Sequence, residues 1–144
     1  MKLPKKKAYR TVAAAERRFS DTYGVDASEA TSAVQEAVIG ADVGANGYTT
    51  VAQADILTDA LGLSRGDALL DIGAGRGWPG LHIAKRTGCD VVLTDLPAVA
   101  LLEAAARARH NQLQKRAACV VAGASALPFR PRSFDAIVHS DVLC

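Results

Sequence analysis

The chain has 144 residues, 49% of them hydrophobic and 22% charged, which suits about one globular domain with a single core. Nothing in it approaches the roughly 18 consecutive apolar residues of a membrane span, and its basic N-terminus lacks the apolar stretch and small-residue cleavage site of a secretory signal. The formal charge of +2 divides into +6 over residues 1–18 and −4 over the rest; no basic stripe with interleaved aromatics follows the "KLPKKK" tail, so nucleic acid is not the default partner and the tail reads as a solvated terminus.

In chain order, residues 8–20 predict a short helix with Arg17 and Arg18 on a cationic face. Residues 26–40 predict a second, with Ala30, Ala33, Val34, Ala37 and Val38 on one face and Gly40 as its stop. The glycine-rich "GADVGANGYT" loop then leads to Thr50 and, three residues on, Gln53, a capping-box pattern. The helix it opens aligns Val51, Ala54, Leu57 and Leu61 and stops at Gly62.

From Ala68 short apolar runs alternate with helical stretches: "ALLDI", a helix from about Gly77 to Thr87, then "DVVLTD". Pro97 suits the first turn of a helix with Ala98, Leu101, Leu102, Ala105 and Ala108 on one face. "ACVVAG" and "FDAIVHS" complete four strands. Continuous apolar strands alternating with helices predict an α/β, Rossmann-like parallel sheet covered by helices on both faces. Ligands of such sheets bind beyond the carboxyl ends of the strands, where the strand order reverses. Asp71, Asp95 and His139 all fall near those ends. Cys89, Cys119 and Cys144 show no CxxC spacing, which argues against a disulfide framework or a zinc site and makes a reducing cytoplasm the expected setting. Cys119 reads as a small buried strand residue.

The segment "ALLDIGAGRGWPG" carries the chemistry. Gly73, Gly75 and Gly77 lie in a turn between a strand and a helix. Glycine there allows positive φ and lets a ligand approach bare backbone, and a helix start offers free N–H groups. Gly75, Gly77 and Gly80 also satisfy GxGxxG, with Asp95 twenty residues beyond Gly75, as in a dinucleotide fingerprint. Asp71 speaks against that reading, because a carboxylate beside a pyrophosphate is repulsive, whereas it suits a ligand with an ammonium group.

These residues resemble class I S-adenosylmethionine-dependent methyltransferases of the type 11 branch, from about Gly47 to Cys144. "LLDIGAGRG" is similar to the first motif, "VVLTDLP" to the second strand with its terminal acid, and "ALPFRPRSFDAIVHSDVL" to the segment running through the fourth strand. The resemblance implies S-adenosyl-L-methionine as cofactor, with Gly73, Gly75 and Gly77 under its methionine portion. Asp71 would orient the ammonium group through water and Asp95 would hold both ribose hydroxyls. Leu96 would pack on the adenine, Ala124 would offer backbone to its edge, and Ser140 would line the pocket. Tyr48 is a candidate to close over the methionine end, and His82 reads as an ordinary, partly exposed histidine. Relatives often carry an acid where this chain has Gly123; the hydrogen bond to the adenine amino group would then be missing, a loss of about 1.5–3 kcal/mol, or be supplied by backbone or Ser125.

The implied reaction is displacement at the sulfonium methyl by an acceptor nucleophile, and His139 and Asp141 are the candidate bases. The family's sheet has strand order 3-2-1-4-5-7-6, of which this chain supplies the first four strands. Residues 1–46 are expected to be a basic tail with a helical cap, and residues 47–144 a partial cofactor-binding domain. An exposed fourth strand would be a template for self-association or a completing chain. The acceptor is open between small molecule, lipid, quinone-like ring and protein, with a small molecule favoured; no metal is implied. Two alternatives remain: a non-catalytic remnant or partner subunit of a methyltransferase, and an NAD-binding oxidoreductase fragment.

Overall fold

The computed structural model describes residues 11–23, 29–45 and 47–140. Its centre is a parallel sheet of β1 (Ala68–Ile72), β2 (Asp90–Asp95), β3 (Ala117–Val121) and β4 (Ala136–Val138). The order is β3-β2-β1-β4, so the chain switches direction across the sheet at β1. The helices are α1 (Val12–Tyr23), α2 (Glu29–Ile39), α3 (Val51–Leu61), α4 (Gly80–Thr87) and α5 (Ala98–His110).

The four expected strands are present, and the central pair shows why. Leu69, Leu70, Val91 and Leu93 are at most 2% exposed, as a strand buried on both faces requires. The core joins Leu69, Val91, Leu93 and Val138 of the sheet to Ile83 and Ala84 of α4 and to Leu101, Ala104 and Ala108 of α5. Cover on both faces is only partly realised among the described residues. Towards the outer strands Ala118 and Ile137 are exposed, and Cys119 is half-buried. The "LPFRPRSFD" segment acts as a staple. Asp135 accepts a hydrogen bond from the Ala68 N–H (2.8 Å) while its own N–H donates to the Ala68 carbonyl (2.9 Å), tying the start of β4 to β1. Phe129 and Phe134 pack edge to face beside it.

The helix signals hold best where a cap defines them. The Thr50 hydroxyl accepts from the Gln53 N–H and Gln53 accepts from the Thr50 N–H, and Gly62 closes α3 at φ 60°. The α4 helix starts at Gly80 rather than Gly77, because Gly77 has φ +96° and turns the chain away from helical geometry. The faces of two helices differ from the expected ones. In α5 the buried stripe is Ala100, Leu101, Ala104 and Ala108, while Leu102 is 71% exposed. In α2 the expected apolar face points outward, with Val34 and Val38 exposed, and Gln35 and Ile39 face inward. The inward Gln35 is satisfied by accepting the Ala45 N–H (3.0 Å), which lets a polar residue hold a buried position.

Candidate functional site

The loop after β1 lies at the switch point, and its backbone is held from below by β2. The Gly73 and Ala74 amides donate to the Thr94 carbonyl (2.8 and 3.0 Å), and the Gly77 amide donates to the Ala74 carbonyl (2.7 Å). Gly73, Gly75 and Gly77 have φ of +73°, +52° and +96°, conformations that disfavour any side chain. Asp95, at the end of β2, uses both oxygens. One accepts the Gly75 N–H (2.8 Å) and the other its neighbour's, Leu96 N–H (2.7 Å). Burial raises the Asp95 carboxyl above the usual carboxylate range, although these two amides pull it back.

Asp71 lies beneath the loop, 1% exposed. Its Oδ2 accepts the Gly80 N–H (2.9 Å) at the start of α4, where the helix dipole favours an acid. Its Oδ1 is buried with no hydrogen-bond partner. Desolvation, with Asp95 adding repulsion, pushes the carboxyl up to about 8 against the pull of the Gly80 amide. Near neutral pH it is therefore largely the uncharged acid. Gly80 is required by this contact, since a Cβ there would sit 2.5 Å from Asp71 Oδ2.

Above the loop sits the end of α1. A Cβ on Gly75 would lie 2.7 Å from the Tyr23 hydroxyl, so the phenol rests on the glycine backbone. Arg76, 6% exposed, holds it there. Its guanidinium lies over the Tyr23 ring (5.6 Å to the centroid), donates to the Tyr23 carbonyl (3.1 Å) and meets Glu103 of α5 at 2.5 Å. Trp78 closes the side, its indole N–H donating to the Thr49 carbonyl (2.8 Å). The cavity left among Tyr23, Gly73, Gly75, Trp78 and Ser140 is about 60 Å³. That is well below the ~300 Å³ at the small end of ligand pockets. The Tyr23 phenol thus occupies space directly over the Gly75 backbone.

A family of methyltransferase domains matches residues 69–144, which is 76 of 144 residues. The chain belongs to this methyltransferase domain family. An uncharacterized Haemophilus influenzae protein is 32% identical over 82 residues, covering 57% of this chain and 33% of that protein. Among solved structures, a geranyl diphosphate methyltransferase in complex with S-adenosylmethionine is 30% identical with TM-score 0.59, covering 72% of this chain and 46% of that one. The geranyl diphosphate C-methyltransferase of Streptomyces coelicolor A3(2), in complex with Mg2+, geranyl diphosphate and S-adenosyl-L-homocysteine, is 29% identical with TM-score 0.57, covering 61% and 33%. The chain thus spans between a third and a half of the length of these relatives. Family and neighbours support S-adenosylmethionine as the cofactor.

In this methyltransferase domain the expected residues fall into three groups. Gly73, Gly75 and Ser140 line the small cavity, and Asp95 anchors it from below. Leu96 packs beside Gly123, where a Cβ would meet it at 3.3 Å, and Ala124 follows in an exposed turn, so these two mark a rim running away from the loop. His139 is exposed at the end of β4 and is not among the cavity-lining residues, while Asp141 lies outside the described residues. Tyr48 does not close the site. It is 81% exposed and lines a separate groove with Thr49, Gln53 and Ile56. The reason is the capped start of α3, which carries Tyr48 outward while α1 occupies the space over the loop. His82 is partly exposed and pairs with Asp55 at 2.7 Å. Sequence reasoning missed Tyr23 and Arg76. Arg76 carried a signal, a long cation inside an otherwise bare loop, whereas Tyr23 lies 52 residues from Gly75 with no local pattern to link them.

Proposed function

We propose that this chain is the cofactor-binding part of an S-adenosylmethionine-dependent methyltransferase that acts on a small molecule in the cytoplasm. The observation that carries the reading is the bare glycine turn at the switch point, held by Asp95 and by the Thr94 carbonyl. Bound S-adenosylmethionine would supply a methyl group on a sulfonium centre, open to displacement by an acceptor nucleophile. The chain's own work is orientation and exclusion of water, and orientation alone contributes about 7–11 kcal/mol in favourable cases.

Asp95 would exchange its two amide bonds for the ribose hydroxyls. Gly73, Gly75 and Gly77 would bring backbone against the methionine portion, with Ser140 at the side. Asp71 would orient the ammonium group, becoming ionised as a cation is placed above it. Leu96 and the Ala124 backbone would border the adenine. His139, next to Ser140, is the proposed proton acceptor for the nucleophile. Residues 1–46 would supply a basic tail and helical cap, and residues 47–144 the partial cofactor-binding domain. The small-molecule acceptor is supported by the geranyl diphosphate methyltransferases among the relatives. The exposed Ile137 on β4 supports a further chain or segment completing the sheet there. That same exposed strand favours a second reading, a partner subunit without turnover of its own.

Calorimetric titration of the chain with S-adenosylhomocysteine, beside Asp95→Ala and with a nicotinamide dinucleotide as control, tests the proposal. Saturable binding of S-adenosylhomocysteine alone, weakened about tenfold or more in the variant, is expected. No heat from a folded sample would leave only the second reading.

A further inference from the structure

A larger opening adjoins the cofactor loop at Gly77 and Trp78. Helices α4 and α5 wall a groove of about 680 Å³, with Trp78 and Gly77 at one end and Asp42–Val43 above it. Its volume lies within the range of small-molecule sites, and it shares Trp78 with the cavity over the glycine loop. Val43, Leu81 and Ala106 add apolar surface beside the indole.

Charge in the groove is distributed unevenly. Both lining acids are engaged: Asp42 lies 3.7 Å from Arg107, and Glu103 lies 2.5 Å from the buried Arg76. His82 is held by Asp55 (2.7 Å). Lys85 and His110 come from the last turns of α4 and α5, where helix carbonyl ends favour cations. The Lys85 ammonium donates to the neutral Asn111 side-chain carbonyl (3.0 Å) and has no carboxylate partner among the described residues. The groove therefore offers an apolar wall ending in a cation not matched by an acid.

We propose that this groove, which adjoins the cofactor loop at Gly77 and Trp78, is a second ligand site for a small amphipathic anion: a carboxylate or phosphate head on Lys85 and a short apolar tail along Trp78, Leu81 and Val43. Trp78 is the chain's single tryptophan, so its fluorescence reports the groove and the adjoining cofactor cavity, which the Lys85→Glu variant and S-adenosylhomocysteine tell apart. The test is titration of the full chain with decanoate and with decyl phosphate, with decanol as the headless control. A saturable change with Kd below about 1 mM for at least one anion is expected, the tighter one identifying the head. Lys85→Glu should weaken it about fivefold or more, and decanol should bind about fivefold more weakly. Asp95→Ala should leave it unchanged, and S-adenosylhomocysteine should not compete. A non-saturating signal, equal affinity in Lys85→Glu, or competition by S-adenosylhomocysteine would overturn the proposal. The anion affinities, the decanol control and the Lys85→Glu result do not depend on whether the cofactor site itself binds.

Discussion

The two sides of the glycine loop are held by different forces. Beneath it, Leu69, Leu70, Leu93 and Thr94 are at most 2% exposed, and the loop amides of Gly73, Ala74 and Gly75 are tied to Thr94 and Asp95. Above it, α1 buries only Ala15 along its length and meets the loop through Tyr23 and the Arg76 guanidinium. Close packing cannot yield by a methyl group without strain, whereas a few polar contacts at the end of an exposed helix open at small cost. The floor is held by close packing, and Tyr23 forms a lid held by ring and polar contacts.

The comparison is broken most severely at Gly80. Its Cβ position lies 2.5 Å from Asp71 and 2.9 Å from Leu93, so Gly80→Val should cost about 3 kcal/mol or more, read as a lower denaturant midpoint. A change confined to the lid should not approach this.

Asp71 sharpens the contrast through pH. Its carboxyl is raised in the folded chain to about 8, against about 3.9 when unfolded. The native state therefore holds the proton more tightly. Its contribution is fully present below the unfolded value and is lost as pH rises from about 4 to about 8. Asp95, also raised, acts in the same direction. Thermal melts from pH 4 to 9 should show stability falling with pH, and Asp71→Asn should flatten most of that slope. A wild-type chain that gains stability over this range would contradict the burial argument.

Ligand binding separates the two sides more finely. Asp95→Ala should weaken S-adenosylhomocysteine about tenfold by calorimetry. Tyr23→Ala should act in the opposite direction, tightening binding by about threefold because the closed lid no longer competes for the space. Weaker binding in Tyr23→Ala would make the phenol part of the bound site instead. The smallest effect belongs to Leu102, exposed on α5, where Leu102→Ser should shift stability by no more than about 0.5 kcal/mol.

Strands, caps and the glycine turn were legible because each is written in neighbouring residues. "ALLDI" and "DVVLTD" are continuous apolar runs ending in acids, and Thr50 with Gln53 and Gly62 mark both ends of α3. Helix faces were less legible. Ala30, Val34 and Val38 form a regular apolar stripe on α2, yet burial goes to Gln35 and Ile39 because a loop amide and Trp78 lie on that side. Periodicity shows that a stripe exists, and only the neighbours decide whether it is covered.

The sequence by itself determined the parallel sheet, the bare turn after its first strand, and the two acids that close β1 and β2, since local spacing and backbone freedom suffice for each. The tertiary structure alone decided what those acids do. Burial against Gly80 makes Asp71 an uncharged acid under the loop, and partial exposure leaves Asp95 to hold it. It also placed Tyr23 rather than Tyr48 over the glycines, because that contact spans 52 residues and depends on how α1 packs on α5.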